Sequence, residues 1–111
     1  MDLQDDAEAI RARVNLLEGE TAFDGWAVDH AGEAGLVWIT NLRVVFAGRD
    51  SGVCALPIGK IDRMCMASPT DVRLEAWSQH LPLAFSSASQ CSAFRNLLRQ
   101  EHSWRGEVES L

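Results

Sequence analysis

Lysine is nearly absent from this 111-residue chain. Lys60 stands alone beside nine arginines, and sixteen Asp and Glu leave a formal net charge of −6. That balance argues against broad nucleic-acid binding, which rests on many cation–phosphate contacts. Cysteine is scarce too: Cys54, Cys65 and Cys91 make an odd number with no C-x-x-C spacing. Neither a disulfide framework nor a zinc knuckle fits. Cys54 and Cys91 have apolar neighbours, so both read as buried free thiols. Long apolar runs are also missing. The longest stretch without a charged residue, Ala76 to Phe94, carries His80, Pro82, Gln79, Gln90 and five serines, and is too polar for a membrane span. The first residues, Met1-Asp2-Leu3-Gln4-Asp5-Asp6, are acidic, the wrong chemistry for a signal or transit peptide. These absences point to a reduced, intracellular, cytoplasmic protein.

Catalytic and metal signatures are lacking as well. His30, His80 and His102 show no H-x-x-x-H spacing, and no G-x-S-x-G, P-loop or Cys–His pairing occurs. The serines of Ser86-Ser87-Ala88-Ser89 are explained by helix capping. The expectation is a non-enzyme with no cofactor and no metal.

What is present suits one globular domain. A chain of 12.2 kDa, 47% apolar and 23% charged, can bury about 65% of its unfolded surface without staples. Asp5 with Glu8 resembles a capping box, and Ile10, Val14 and Leu17 repeat on one helical face. A short helix is therefore expected over residues 1–18, ended by Glu18-Gly19-Glu20. The rhythm then turns to strands: Thr21–His30 (where Gly25 suggests a bulge), Leu36–Thr40, Arg43–Ala47, Val53–Ile58 and Ile61–Met66. Val72, Leu74 and Ala76 alternate with Arg73, Glu75 and Trp77, and Leu81, Leu83 and Phe85 share a face beside Pro82. From Ser87 the period returns to 3.6: Cys91, Phe94, Leu97 and Leu98 form a stripe, with Arg95 and Arg99 toward the helix's C-terminal half. Trp104–Leu111 reads as a frayed tail within the span 103–111. About seven short antiparallel strands and one amphipathic helix predict an α+β roll, a curved sheet whose open end the helix plugs.

Three segments carry a family resemblance. Leu16-Leu17-Glu18-Gly19-Glu20, Gly35-Leu36-Val37-Trp38-Ile39-Thr40-Asn41-Leu42-Arg43-Val44-Val45-Phe46 and Leu56-Pro57-Ile58-Gly59-Lys60-Ile61 resemble the GRAM/GLUE branch of the pleckstrin-homology (PH) superfamily. That branch shows "L-x-G-E", "G-x-L-x-L/V-T-N-x-R-L-x-F" and "I-P-L-x-x-I". Thr40-Asn41-Leu42-Arg43 is also similar to PH-like domains of myotubularin phosphatases and the ciliary BBSome coat subunit. The proline usual before Gly19 is Glu18 here. The resemblance implies a PH-like roll, or partly open barrel, over residues 19–102. It also implies an interaction module that binds a protein partner or peptide or, alternatively, a phosphoinositide membrane surface as an adaptor.

The residues divide between these two readings. Arg43, Arg49, Lys60 and Arg63 are the cations for a lipid head group, with Gly48 and Gly52 letting backbone amides approach a phosphate. A plain solvated face is the simpler account of them. Trp77, facing outward beside Arg73 and Glu75, is the candidate protein-interaction anchor, since Trp and Arg are enriched at binding hot spots. Trp38 is expected in the core or the inner sheet. With one lysine and net acidity, the protein-binding reading leads.

Overall fold

Strand-forming residues dominate from Ala22 to Phe85, and in the computed structural model they pair almost wholly with their sequence neighbours. The structure describes residues 14–50, 52–77, 79–102 and 107–110. Its strands are β1 (Ala22–His30), β2 (Glu33–Thr40), β3 (Arg43–Gly48), β4 (Val53–Pro57), β5 (Arg63–Ser68), β6 (Asp71–Ala76), β7 (Gln79–Phe85) and β8 (Glu107–Ser110). A 3-10 turn, Ile58–Lys60, follows β4, and helix α1 spans Ala88–His102. The sheet order is β4-β3-β2-β1-β7-β6-β5-β8. β1 to β7 pair antiparallel, giving the expected roll, while β8 runs parallel to β5. The expected frayed tail therefore contains a strand.

Local chemistry explains the turns. His30 pairs with Glu33, leaving a two-residue hairpin whose Ala31 and Gly32 both have positive φ (52° and 85°). That hand of turn matches the right-handed strand twist. The alternation in β6 and β7 holds: Val72, Leu74, Ala76, Leu81, Leu83 and Phe85 are buried together in the main core.

β2 departs from the expectation only in which face Trp38 takes. Val37 and Ile39 take its inner positions, so the period of two turns Trp38 outward. Trp38 is still buried, because it packs with Ala47, Leu36 and Val14 in a small second cluster on the outer face. Gly25 lies opposite it in the register, and a Cβ there would come within 2.6 Å of the indole. Gly25 thus makes room for Trp38, and the strand irregularity falls at Ala22/Asp24 instead.

Two further expectations change. Cys54 is exposed, not buried. It shares the parity of the buried Leu56 but stands near the start of edge strand β4, beyond the core's cover. Residues 1–13, which carry most of the expected N-terminal helix, lie outside the described residues. Val14–Leu17 are described and are non-helical, leading into a turn at Glu18-Gly19.

Helix α1 closes the roll. Ser87 Oγ accepts the Gln90 amide at 3.2 Å, the capping half of the expected box. The Gln90 side chain instead accepts from Ser86 Oγ at 2.7 Å. Cys91, Phe94 and Leu98 are fully buried in the core. Phe94 meets Trp26 edge-on at 5.4 Å and Phe85 at 5.1 Å. Phe94→Ala is accordingly expected to cost about 3–5 kcal/mol, the usual range for emptying a buried aromatic site. Thermal or denaturant unfolding checks this, and wild-type stability in the variant would mean α1 does not plug the sheet.

Candidate interaction surface

The motif that suggested a family is, in the structure, a clasp. Gly19, at φ 77°, turns the chain so that the Glu20 side chain is fully buried against the β2–β3 hairpin. Its carboxylate accepts hydrogen bonds from Thr40 Oγ1 (2.6 Å), Arg43 Nε (2.9 Å), Arg43 Nη2 (3.1 Å) and the Leu17 amide (2.8 Å). Arg43 Nη2 also donates to the Asn15 carbonyl at 2.8 Å. Asn41 completes the knot: its Oδ1 accepts the Thr21 amide (2.7 Å) and its Nδ2 donates to the Gly19 carbonyl (3.0 Å). Burial alone would raise the Glu20 pKa. The bonds from Arg43, Thr40 and Leu17 overcome that and hold it at about 2. Arg43, expected in the head-group set, is thereby committed to structure.

The other head-group candidates do not converge. Arg49 follows β3 and Arg43 begins it, so about 20 Å of strand separates them. Beside Arg49 lies an open cavity of about 650 Å³ lined by Asp29, Gly32, Glu33, Ala34, Arg49 and Asp50. Backbone bonds draw this end together: the Arg49 amide donates to the Ala34 carbonyl (2.9 Å) and the Asp50 amide to Glu33 Oε2 (2.8 Å). A phosphate entering there meets three carboxylates and one guanidinium. Its electrostatics are wrong for an anion.

Lys60 and Arg63 join the other candidate set. In the register Arg63 stands opposite Glu75, which stands opposite His80, while Cys65, Arg73 and Pro82 form the next rung. Glu75 accepts from Arg73 Nε (3.1 Å) and from the Cys65 thiol (3.4 Å); Arg73 Nη2 lies at 3.0 Å, Arg63 Nη1 at 3.9 Å and His80 Nδ1 at 4.0 Å. The Cys65 thiol, outweighing burial, and then Arg73 hold the Glu75 pKa below the usual carboxylate range. Burial, then Glu75, pushes the Cys65 thiol up, which keeps it protonated and unreactive.

Trp77 stands where this face meets the β6–β7 turn. It is 61% exposed and holds φ 57°, a left-handed conformation that bulky residues rarely adopt. Lys60 Nζ lies 5.7 Å from the centre of its ring, at cation–π distance. No local sequence pattern links these two residues, which come from separate turns. The structure thus joins Trp77 to Lys60, and Glu75 to Arg63 and Arg73, and leaves Arg43 and Arg49 elsewhere. Among the described residues, no group of three His, Cys, Asp or Glu is arranged to hold a metal ion.

No family model matches the sequence, and no curated protein matches it. Solved structures do. The chain is similar to the C-terminal domain of an unknown protein from Leishmania infantum, at 16% identity over 76% of this chain and 86% of that one, with TM-score 0.63. It is similar to the hSac2 domain from the human phosphoinositide phosphatase Sac2, at 12% identity over 100% and 89%, with TM-score 0.62. It is also similar to the Vps36 N-terminal PH domain, at 14% identity over 80% and 83%, with TM-score 0.61. These likenesses establish a PH-like fold.

The clasp makes a pH-dependent prediction. Glu20 has a folded pKa of about 2 against an ordinary value of 4.5, so its contribution is complete above pH 4.5 and is lost as pH falls toward 2. Glu20→Gln leaves Arg43 without its buried counter-ion and is expected to cost about 3 kcal/mol at pH 7. The gap between variant and wild type closes as the pH is lowered through that window. Denaturant unfolding at pH 7 and pH 3 checks both parts.

Proposed function

We propose that this chain is a non-catalytic, intracellular PH-like interaction module that binds a protein partner within a larger assembly, as a scaffold or adaptor. The observation that carries the reading is Trp77, exposed at a hairpin corner beside Lys60 and next to the Arg63–Arg73–Glu75 cluster. An exposed indole with a cation over its ring is a feature of binding hot spots. Covering the rest of that ring on a partner is worth on the order of 2 kcal/mol from apolar burial. Within the cluster Arg73 and Glu75 satisfy each other, and Arg63 leaves it with one net positive charge.

The GRAM/GLUE branch is the family placement we favour, because its Gly-Glu and Thr-Asn-x-Arg residues account for the clasp bond by bond. Three free cysteines suit a reducing compartment. Among the described residues no helix is long and apolar enough to cross a membrane. Phosphoinositide binding is the competing reading, and the name of one structural neighbour, a domain of a phosphoinositide phosphatase, keeps it in view. The carboxylates around Arg49 weigh against it.

Two mutations separate the readings. Trp77→Ala is expected to abolish partner recovery on the immobilised chain, while Arg49→Glu leaves recovery intact. Wild-type protein is expected not to sediment with phosphoinositide liposomes at low salt. Salt-sensitive sedimentation lost in Arg49→Glu would overturn the protein-binding reading.

A further inference from the structure

We propose that the outer edge of β5 is a strand-addition site for an acidic, extended peptide, and that β8 is its occupant in cis. The inference rests on the interaction-module reading and names the chemistry of the partner. β8 is the last strand of the sheet order, only four residues long, and it pairs parallel to β5. Parallel ladders are slightly weaker per residue than antiparallel ones. β5 runs Arg63–Ser68, and the described rungs of β8 stop at Met66, so a longer strand gains further rungs at Ala67 and Ser68.

The register reads out the peptide's chemistry. Glu107 stands opposite Arg63, Val108 opposite Met64, Glu109 opposite Cys65 and Ser110 opposite Met66. Arg63, Cys65, Arg73 and Glu75 occupy the outer face of β5 and β6, with His80 beside them on β7. Two guanidiniums around one carboxylate give that face a net positive charge, which suits acidic residues in alternate positions. Met64 belongs to the buried core, so the intervening position calls for an apolar residue. The preferred segment is therefore acidic–apolar–acidic–small. Upstream of the Arg63 rung the chain leads through Asp62 and Ile61 to the 3-10 turn, where Lys60 meets Trp77. Edge and anchor then form one surface, with backbone bonds supplying affinity and alternate side chains supplying specificity.

Tethering gives β8 an effective concentration on the order of millimolar, so the intact chain masks its own site. The test uses the full chain, a fluorescent peptide of sequence Gly-Glu-Val-Glu-Ser-Leu (residues 106–111), and a control peptide with Lys for both Glu. The Glu107→Lys/Glu109→Lys chain is expected to bind the acidic peptide at least tenfold tighter than wild type and to ignore the control. Amide exchange at Met64–Met66 should quicken in that variant and slow again on adding the acidic peptide. A normal melting transition confirms that the variant folds. If it does not, isotope-labelled wild type with millimolar peptide serves instead, with shifts expected along β5. Equal affinity of both chains, equal binding of both peptides, or unchanged exchange at Met64–Met66 overturns the proposal. So do wild-type shifts that miss β5. Trp77→Ala should leave this short peptide's affinity unchanged, so a failure here is distinguishable from a failure of the Trp77 anchor.

Discussion

A buried carboxylate organises this molecule. Glu20 sits beneath the β2–β3 hairpin, and a charge there is tolerable only because Thr40, Leu17 and both donors of Arg43 converge on it. The clasp fixes where the N-terminal segment crosses the outer face of the sheet. That crossing lets Val14 cover Trp38, a large ring that the strand period turns away from the core. It also fixes the start of β1 through Thr21 and Asn41, and with it the β1–β2 register that places Gly25 against Trp38. The outer cluster and the start of the β1–β2 pairing are thus tied to that one ionic contact.

The same contact shapes what the surface can bind. An arginine that answers a buried carboxylate is not available to a phosphate, and β3 holds the next arginine about 20 Å away in a ring of Asp and Glu. Lys60 and Arg63 stand around the β6–β7 corner, where Trp77 is exposed. The four candidate head-group cations thus fall in three separate places. Arg63 and Arg73 with Glu75 make an ionic face on β5 and β6, bordered by the edge that β8 covers.

Much of this fold is legible in the sequence, for a physical reason. The β6–β7 alternation and the Cys91–Phe94–Leu98 stripe are local patterns, and burial of one face is all they encode. Trp38 was not legible, because β2 is apolar on both faces and alternation cannot say which one is inward. Cys54 was misplaced because apolar neighbours do not reveal that a strand lies at the edge. β8 escaped because Glu-Val-Glu-Ser is short and polar, and its pairing depends on a strand some forty residues upstream. The site was legible only in pieces. Trp77, Arg73 and Glu75 share a local alternation, whereas the Glu20–Arg43 and Lys60–Trp77 contacts join distant residues.

The central claim is that the fold divides the cations so that no anionic head group finds a site, and that Trp77 marks the binding face. Titrating the isotope-labelled chain with a soluble inositol polyphosphate and following backbone amides by NMR tests this most directly. The account predicts only small, non-saturating shifts at Arg49 and Asp50 and an unmoved Arg43 side-chain signal. Saturable shifts converging on Arg43 and Arg49, with loss of the Glu20–Arg43 contact, would contradict it.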